Sequence, residues 1–191
     1  MEQLTEVTIE AIDLAAWAPY ALEVQAVAFG LTPEEVAVRL QIVGRHAQQP
    51  GVIALGAMSG GRLVGFGYGM PNHRDHWWSS VIEPYLEERG YADWLDEVFA
   101  ITELHVLPRF QGQGVGSRLI RTLCERSGLP RSILSAIDAE TPARRLYRSL
   151  GYRDLARAVR FPNTERPYAV MGAPLPLLPG RAAQSAAANS R

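Results

Sequence analysis

Apolar residues between Thr5 and Pro174 recur with two spacings, one typical of strands and one typical of helices. Short alternating or continuous apolar runs predict strands, whereas apolar residues three and four positions apart predict helices. Thr-Pro pairs at 32–33 and 141–142 mark helix starts, and glycines at 30, 128 and 151 mark helix ends. Strands are therefore predicted over 7–12, 52–58, 62–70, 98–107, 132–137, 152–160 and 167–173, and helices over 14–29, 33–47, 116–127 and 142–150.

The order of these elements indicates the fold class. One strand, two helices, three strands, a helix, a strand, a helix and two strands form an α/β (α+β) fold, with a mixed sheet and helices on its faces. A length of 191 residues with 47% hydrophobic content fits one globular domain, which we place at 1–179. Residues 180–191 are small or polar and are predicted to form a disordered tail.

The segment 71–97 departs from the strand and helix patterns and is predicted to be an insertion with one or two short helices. It mixes aromatic residues with acids. Such side chains suit the wall of a pocket for a cation, through ring faces and negative charge. They equally suit an amphipathic helix with core aromatics and solvated acids.

Charge and hydropathy exclude several partners. Nineteen basic residues stand against 20 acidic ones, so the chain lacks the positive excess that nucleic-acid binding requires. No apolar run is long enough for a bilayer span, and the N-terminus is polar and acidic. These features predict a cytoplasmic protein with no nucleic-acid or membrane partner.

Residue types exclude further chemistry. Cys124 is the single cysteine, which rules out an intrachain disulfide and a zinc site built on several thiolates. Every basic residue is arginine, so lysine Schiff bases and the Walker phosphate loop are excluded. His73 and His76 have a spacing that a metal could use, but no third ligand is evident nearby, so no metal is expected.

A glycine-rich turn joins the strand ending near Leu107 to the helix beginning at Gly116. Glycines 112, 114 and 116 leave backbone N–H groups exposed at a helix N-terminus, where the helix dipole favours an anion such as a diphosphate. The alternative is a tight turn in which glycine serves only the backbone. Ser117 and Leu119 stand where the dinucleotide fingerprint would need glycine, which disfavours a Rossmann site.

Two segments resemble the GNAT superfamily of acetyl-coenzyme A-dependent N-acetyltransferases. The first is Gln111-Gly112-Gln113-Gly114-Val115-Gly116, similar to the Q/R-x-x-G-x-G/A signature, and it follows a strand ending in Leu-x-Val-x-Pro. The second, Ala143–Tyr152, resembles A-x-x-L-Y-x-x-L-G-F. The resemblance covers roughly 52–173 and implies a single GNAT-like domain with a twisted, mostly antiparallel central sheet.

The resemblance also implies acetyl-CoA as cosubstrate. Backbone groups of Leu104 and Val106 would hydrogen-bond the pantetheine arm. The pyrophosphate would lie against the turn residues Gln111, Gly112, Gln113, Gly114, Val115, Gly116 and Ser117. One departure is Glu140, where the family often has an asparagine that helps to place the coenzyme.

Tyr147 matches the family tyrosine that protonates the leaving thiolate, and its alternative is a core aromatic. Glu103 is the candidate base that deprotonates the amine, and its alternative is a structural carboxylate. His105 would share a face with Glu103 in a regular strand, although a packed or exposed strand histidine is the favoured interpretation.

We therefore expect acetyl transfer to a small, cationic primary amine, with Trp77, Trp78, Tyr85 and Trp94 as acceptor-site residues. Acetylation of a protein or peptide amine is the alternative within enzymes. A non-catalytic acyl-CoA-binding module is the alternative from another class. The sequence is also compatible with a homodimer.

Overall fold

Strands and helices alternate along the chain in the computed structural model, which describes residues 6–162 and 164–179. The strands of this part are β1 (Thr8–Ala11), β2 (Ile53–Ser59), β3 (Arg62–Pro71), β4 (Val98–Val106), β5 (Arg131–Ile137), β6 (Arg153–Val159) and β7 (Tyr168–Pro174). The α-helices are α1 (Leu14–Phe29), α2 (Pro33–His46), α3 (Trp77–Glu87), α4 (Val115–Ser127) and α5 (Pro142–Ser149). Short 3-10 helices span Ala92–Leu95 and Pro108–Phe110.

Local sequence signals set the helix starts. The Thr32 hydroxyl accepts the N–H of Glu35, and the Glu35 carboxylate accepts the N–H of Thr32, forming a capping box for α2. Asp13 caps α1 in a similar way by accepting the N–H of Ala16 at 3.0 Å. These contacts explain why helix starts could be located from the sequence.

The seven strands lie in the spatial order β1-β2-β3-β4-β5-β7-β6. β1 with β2, β2 with β3, β5 with β7 and β6 with β7 pair antiparallel. β4 and β5 pair in parallel, joining Val98–Ala100 to Arg131–Ile133. The predicted mixed, mostly antiparallel sheet flanked by helices is confirmed.

The chain divides into two compact units. The first unit contains the described residues up to Met70 together with Ile101–Ser127, and the second contains Pro71–Ala100 and the described residues from Gly128 onward. The one-domain organisation of 1–179 stays a prediction. The predicted tail, 180–191, lies outside the described residues.

In the first unit, α1 and α2 pack against β2 and β3. Leu22 of α1 and Val43 of α2 are buried with Phe66 and Met70 of β3 in one apolar cluster. This burial fixes the two helices, so the few polar side chains on their inner faces acquire fixed positions.

In the second unit, the insertion belongs to the core. Ile82 and Leu86 of α3 are fully buried in a cluster that also contains Trp94 and residues of β5, β6 and β7. A Cβ at Gly172 of β7 would lie 2.6 Å from the Trp94 ring, so glycine is required there by close approach. The one or two short helices predicted for 71–97 are found as one α-helix and one 3-10 helix, and the assignment of this segment as an insertion stays a prediction.

An ion-pair network anchors α5 in the second unit. The buried Arg144 guanidinium donates to both carboxylate oxygens of Asp154 at 2.6 and 2.7 Å and to Asp138 at 3.2 Å. Asp138 also accepts from Arg157 at 2.6 and 2.9 Å and from the N–H of Ala158 at 2.9 Å. The hydrogen bond from Arg157 is the largest cause lowering the pKa of Asp138, and the Ala158 N–H and the Arg144 charge act in the same direction.

Asp138→Asn should lower the free energy of unfolding at pH 7 by about 1–3 kcal/mol, because a buried arginine then loses a charged partner. The folded-state pKa of Asp138 lies below its unfolded value of about 3.9, so the stabilisation is complete well above pH 4 and is lost as pH falls through the folded value. Urea unfolding of the wild type and Asp138→Asn at pH 7, 5, 4 and 3 measures the difference between their free energies of unfolding, which should decrease as pH falls.

Asp75→Asn, which removes an exposed carboxylate of the same unit, should change stability by less than about 0.5 kcal/mol at each pH. A constant difference between wild type and Asp138→Asn across the pH series would contradict the assignment of Asp138.

Candidate active site

The glycine-rich turn is tied to the end of β4 by two glutamine side chains. Gln111 Nε2 donates to the carbonyl of Val106 at 2.9 Å, and Gln113 Nε2 donates to the carbonyl of Arg109 at 2.8 Å. Both side chains therefore fix the loop itself, and the main chain of the turn is the part available for a ligand.

Two glycines of the turn are required by backbone conformation. Gly112 has φ +73° and Gly114 has φ +79°, backbone angles that residues other than glycine rarely adopt. A Cβ at either position would meet no heavy atom within 4 Å. Crowding is therefore not the reason for glycine here, and open space lies beside the turn.

The start of α4 presents unpaired backbone donors. The N–H of Arg118 makes a helical hydrogen bond to the carbonyl of Gly114 at 3.0 Å, so the amides of residues 115–117 precede the regular helical ladder. No acidic residue occupies this first turn. The Ser117 hydroxyl accepts from Arg121 at 3.3 Å and still has its own proton to donate. The site suits an anion such as a diphosphate.

Leu104 and Val106 lie on β4 beyond the three residues, Val98–Ala100, that pair with β5. On the side of β3, a Cβ at Gly67 would lie 3.0 Å from the Leu104 side chain and 3.3 Å from the Glu103 carbonyl. The glycine at 67 thus allows β3 to approach this part of β4 closely.

Glu103 lies in a polar cluster of the first unit. Its carboxylate is 2.6 Å from His105 Nε2, accepts from Gln25 Nε2 at 3.3 Å, and is 3.5 Å from the guanidinium of Arg39. The Glu103 side chain is 23% exposed, so it is reachable from solvent although three groups engage it.

Tyr68 belongs to the same part of the first unit. Its hydroxyl is 3.0 Å from His46 Nδ1, and its ring is buried. Burial and, next, the negative charge of Glu103 raise the pKa of Tyr68 far above its ordinary value, and Arg39 opposes them. Tyr68 is therefore a neutral phenol at every working pH.

Sequence reasoning did not find the partners of Glu103 that come from distant elements. Gln25 lies on α1 and Arg39 lies on α2, and each is one of several polar residues on its helix. Gln25 is buried, with 1% of its surface exposed. This burial depends on tertiary packing, and the residues next to Gln25 in the sequence do not predict it.

Tyr147 lies on α5 in the second unit. It is 8% exposed, and its ring centroid is 5.8 Å from that of Tyr152. Thr141 caps the helix by accepting the N–H of Arg144 at 3.2 Å. Glu140, at the position that departs from the family pattern, is paired with Arg148, whose hydrogen bond is the largest cause lowering the pKa of Glu140.

The aromatic residues of the insertion have partners within the second unit. Trp94 is 7% exposed, and the guanidinium of Arg131 lies 5.0 Å from its ring centroid. Trp78 packs against the core, and the Tyr85 hydroxyl accepts the N–H of Arg160 at 3.2 Å. These contacts match the structural interpretation of the three residues, whose substrate-binding role stays a prediction.

Trp77 differs from the other three aromatic residues. It is 61% exposed, although its ring centroid lies 6.2 Å from that of Phe161. Several acids of the insertion are paired with arginine: Arg74 contacts Glu83 and Asp96, and Arg131 contacts Asp93 at 2.9 Å. Much of the negative charge there is therefore already neutralised.

The rings of His73 and His76 lie edge to face with centroids 5.2 Å apart. Within residues 6–162 and 164–179, no group of three or more His, Cys, Asp or Glu side chains is arranged to hold a metal ion. Among the helices of the same described ranges, none combines the length and apolar content needed to cross a membrane.

The protein belongs to the acetyltransferase (GNAT) family, whose model matches residues 18–152. The matched range contains both motifs that resemble this family, 111–116 and 143–152. The predicted family is therefore confirmed.

Curated relatives carry related names. A GCN5-like protein acetyltransferase of Mycobacterium tuberculosis, Rv2170, is 34% identical over 128 residues, which make up 63% of this chain and 62% of that protein. A thialysine N-epsilon-acetyltransferase of Sus scrofa is 32% identical over 71 residues, or 36% of this chain and 42% of that protein. The chain thus spans less than two thirds of the length of either relative.

Solved structures share the fold at low identity. The ribosomal-protein-S18-alanine N-acetyltransferase of Escherichia coli superposes with a TM-score of 0.62 and 17% identity, over 92% of this chain and 97% of that one. The yncA protein of Salmonella typhimurium, solved with its cofactor acetyl-CoA, has a TM-score of 0.62 and 18% identity, over 90% and 95% of the two chains.

Gly114→Val should abolish binding of coenzyme A while the protein stays folded, because a β-branched residue cannot hold φ +79° and the amides of the turn lose their alignment. Isothermal titration calorimetry with acetyl-CoA and thermal unfolding measure the two effects.

Gly61→Val is a matched control, since Gly61 has φ +75° with nothing within 4 Å of a Cβ but lies in the β2–β3 hairpin. It should lose stability and keep coenzyme affinity. Unchanged affinity in Gly114→Val would place the coenzyme elsewhere.

Proposed function

We propose that the protein transfers an acetyl group from acetyl-CoA directly to a primary amine of a small, cationic molecule. One observation carries the proposal: the strand that ends at the anion-binding turn also carries a partly exposed carboxylate, Glu103. A site for a diphosphate and a negative charge for an ammonium group are thus attached to one element of the first unit.

The turn supports the coenzyme assignment. Its amides over 111–117 would hold the pyrophosphate, with the Ser117 hydroxyl as a further donor, and the main chain of Leu104 and Val106 would bond the pantetheine arm. Acetyl-CoA, when bound, supplies the thioester carbonyl that a neutral amine attacks. The side chains of Gln111 and Gln113 act indirectly here, since both are engaged with backbone carbonyls.

Proton transfers complete the reaction. A C–N bond forms and the C–S bond breaks. The ammonium nitrogen loses one proton before it attacks and a second after the C–N bond has formed, and the sulfur gains one proton, so one proton is released to solvent per turnover. The polar cluster around Glu103, the predicted base, receives the first proton. Tyr147 donates its phenolic proton to the departing sulfur, a donor suited to the negative charge that builds there.

Two observations bear on the acceptor. The partly exposed carboxylate of Glu103 favours a cation. A thialysine N-epsilon-acetyltransferase matches part of this chain, which supports a small amine. The GCN5-like protein acetyltransferase of Mycobacterium tuberculosis matches a larger part and supports a protein amine as the second candidate. The insertion as acceptor wall, a homodimer and a cytoplasmic location stay predictions.

Release of free thiol from acetyl-CoA tests the proposal across thialysine, lysine, polyamines, aminoglycosides, arylalkylamines and peptides with a free N-terminus or a lysine. Turnover should be highest with a cationic small molecule. Preference for peptides would favour the second candidate, and coenzyme binding without thiol release for any amine would indicate a non-catalytic module.

Tyr147→Phe should lower kcat on the productive amine by roughly ten- to a thousand-fold, the usual contribution of one proton-transfer group, with little change in coenzyme affinity. Tyr152→Phe is the matched control, since it removes a neighbouring buried phenol that contacts the Ser132 hydroxyl at 2.7 Å. It should cost about 1 kcal/mol of stability and leave kcat nearly unchanged.

Steady-state kinetics with a pre-steady-state burst experiment establish which step limits turnover. Wild-type kcat in Tyr147→Phe, with chemistry rate-limiting, would leave Tyr147 with a packing role only.

A further inference from the structure

The imidazole of His105 is built into the cluster around Glu103. Its Nε2 lies 2.6 Å from a Glu103 oxygen, and its side chain is 12% exposed. The rings of Phe29 and Phe66 flank it, with centroids 5.9 and 5.6 Å from that of the imidazole. The ring therefore has one charged partner, two apolar neighbours and limited contact with solvent.

The other partners of Glu103 favour its negative charge. Arg39 lies 3.5 Å away as a cation, and Gln25 donates an N–H at 3.3 Å. These contacts hold the carboxylate in a fixed position beside the imidazole, as a positioning partner requires.

The short contact orients the imidazole ring. At 2.6 Å, Nε2–H donates to the carboxylate oxygen in a charge-assisted hydrogen bond. Because a carboxylate only accepts, the hydrogen is on Nε2, and Nδ1 is the unprotonated nitrogen of the neutral ring. An imidazole held in this way can accept one more proton, and the carboxylate stabilises the resulting imidazolium.

The charged and titratable groups around the pair come from two elements besides β4. They are Arg39 and His46 of α2 and Tyr68 of β3, whereas α1 contributes the uncharged Gln25 and Phe29. Tyr68 remains a neutral phenol because of its burial. Arg39 is therefore the group among these that brings a permanent charge close to Glu103, at 3.5 Å.

We infer that His105 takes the proton of the acceptor amine and that Glu103 is its positioning partner; this inference rests on the proposed function. The N–H bond of the ammonium group breaks, an N–H bond forms at the imidazole, and the electron pair left on the amine nitrogen makes the new C–N bond. That nitrogen then loses a second proton, which balances the proton taken up by the departing sulfur. The imidazolium–Glu103 pair then returns its proton to solvent between turnovers.

The pH dependence of kcat/KM for the best amine tests this assignment with two variants. His105→Gln keeps an N–H donor for Glu103 but cannot titrate. It should lower kcat/KM roughly a hundredfold at pH 7, and the defect should shrink to a few-fold as pH approaches the pKa of the amine, where the nucleophile is already neutral. Coenzyme affinity should not change.

Glu103→Gln removes the charge that stabilises the imidazolium. The acid limb of its profile, the fall in kcat/KM at low pH, should persist and move to lower pH. If Glu103 itself keeps the proton, the two results exchange: Glu103→Gln loses the limb and His105→Gln only shifts it. His46→Gln, which removes the other histidine of this cluster, should retain the acid limb of the wild type.

The outcomes separate the two proposals. A His105→Gln defect of equal size at every pH would assign His105 a structural role and overturn this inference while the proposed function stands. Absence of thiol release by the wild type with every amine, despite coenzyme binding, would overturn both.

Discussion

A partly buried carboxylate must be paired or reached by water, and in the first unit this requirement organises the side chains around Glu103. Arg39, Gln25 and His105 arrive from two helices and from the same strand, each within 3.5 Å of the carboxylate. The apolar packing of α1 and α2 on β2 and β3 makes this convergence possible. The carboxylate is thereby held in place on the strand that leads into the glycine turn.

A second ionic constraint acts on the helix that carries Tyr147. Arg144 is 1% exposed, and its guanidinium joins the first turn of α5 to Asp154 on β6 and to Asp138 beyond the end of β5. Removing one partner of a buried pair costs more than the pair contributes, because it leaves an unpaired charge. This fixes the orientation of a short helix that its own propensity would not hold.

The insertion shows how one composition supports two interpretations. Its aromatic residues and acids fit a pocket wall for a cation, and they fit equally a helix packed on a sheet. In the structure, Trp94 fills the space above Gly172, and Arg74 binds Glu83 and Asp96. Residue types alone could not separate these possibilities, since the same ring face binds a substrate cation or a neighbouring arginine.

The sequence by itself determined the elements, the family and the glycine turn, because capping residues, apolar spacing and positive-φ glycines act over a few neighbouring positions. It also placed His105 on the face of Glu103, since side chains two apart in a strand share a face. Only the tertiary structure brought Gln25 and Arg39 to that carboxylate, and Asp154 to Arg144, at separations of 78, 64 and 10 residues. Those contacts depend on how helices pack on the sheet, which no local pattern encodes.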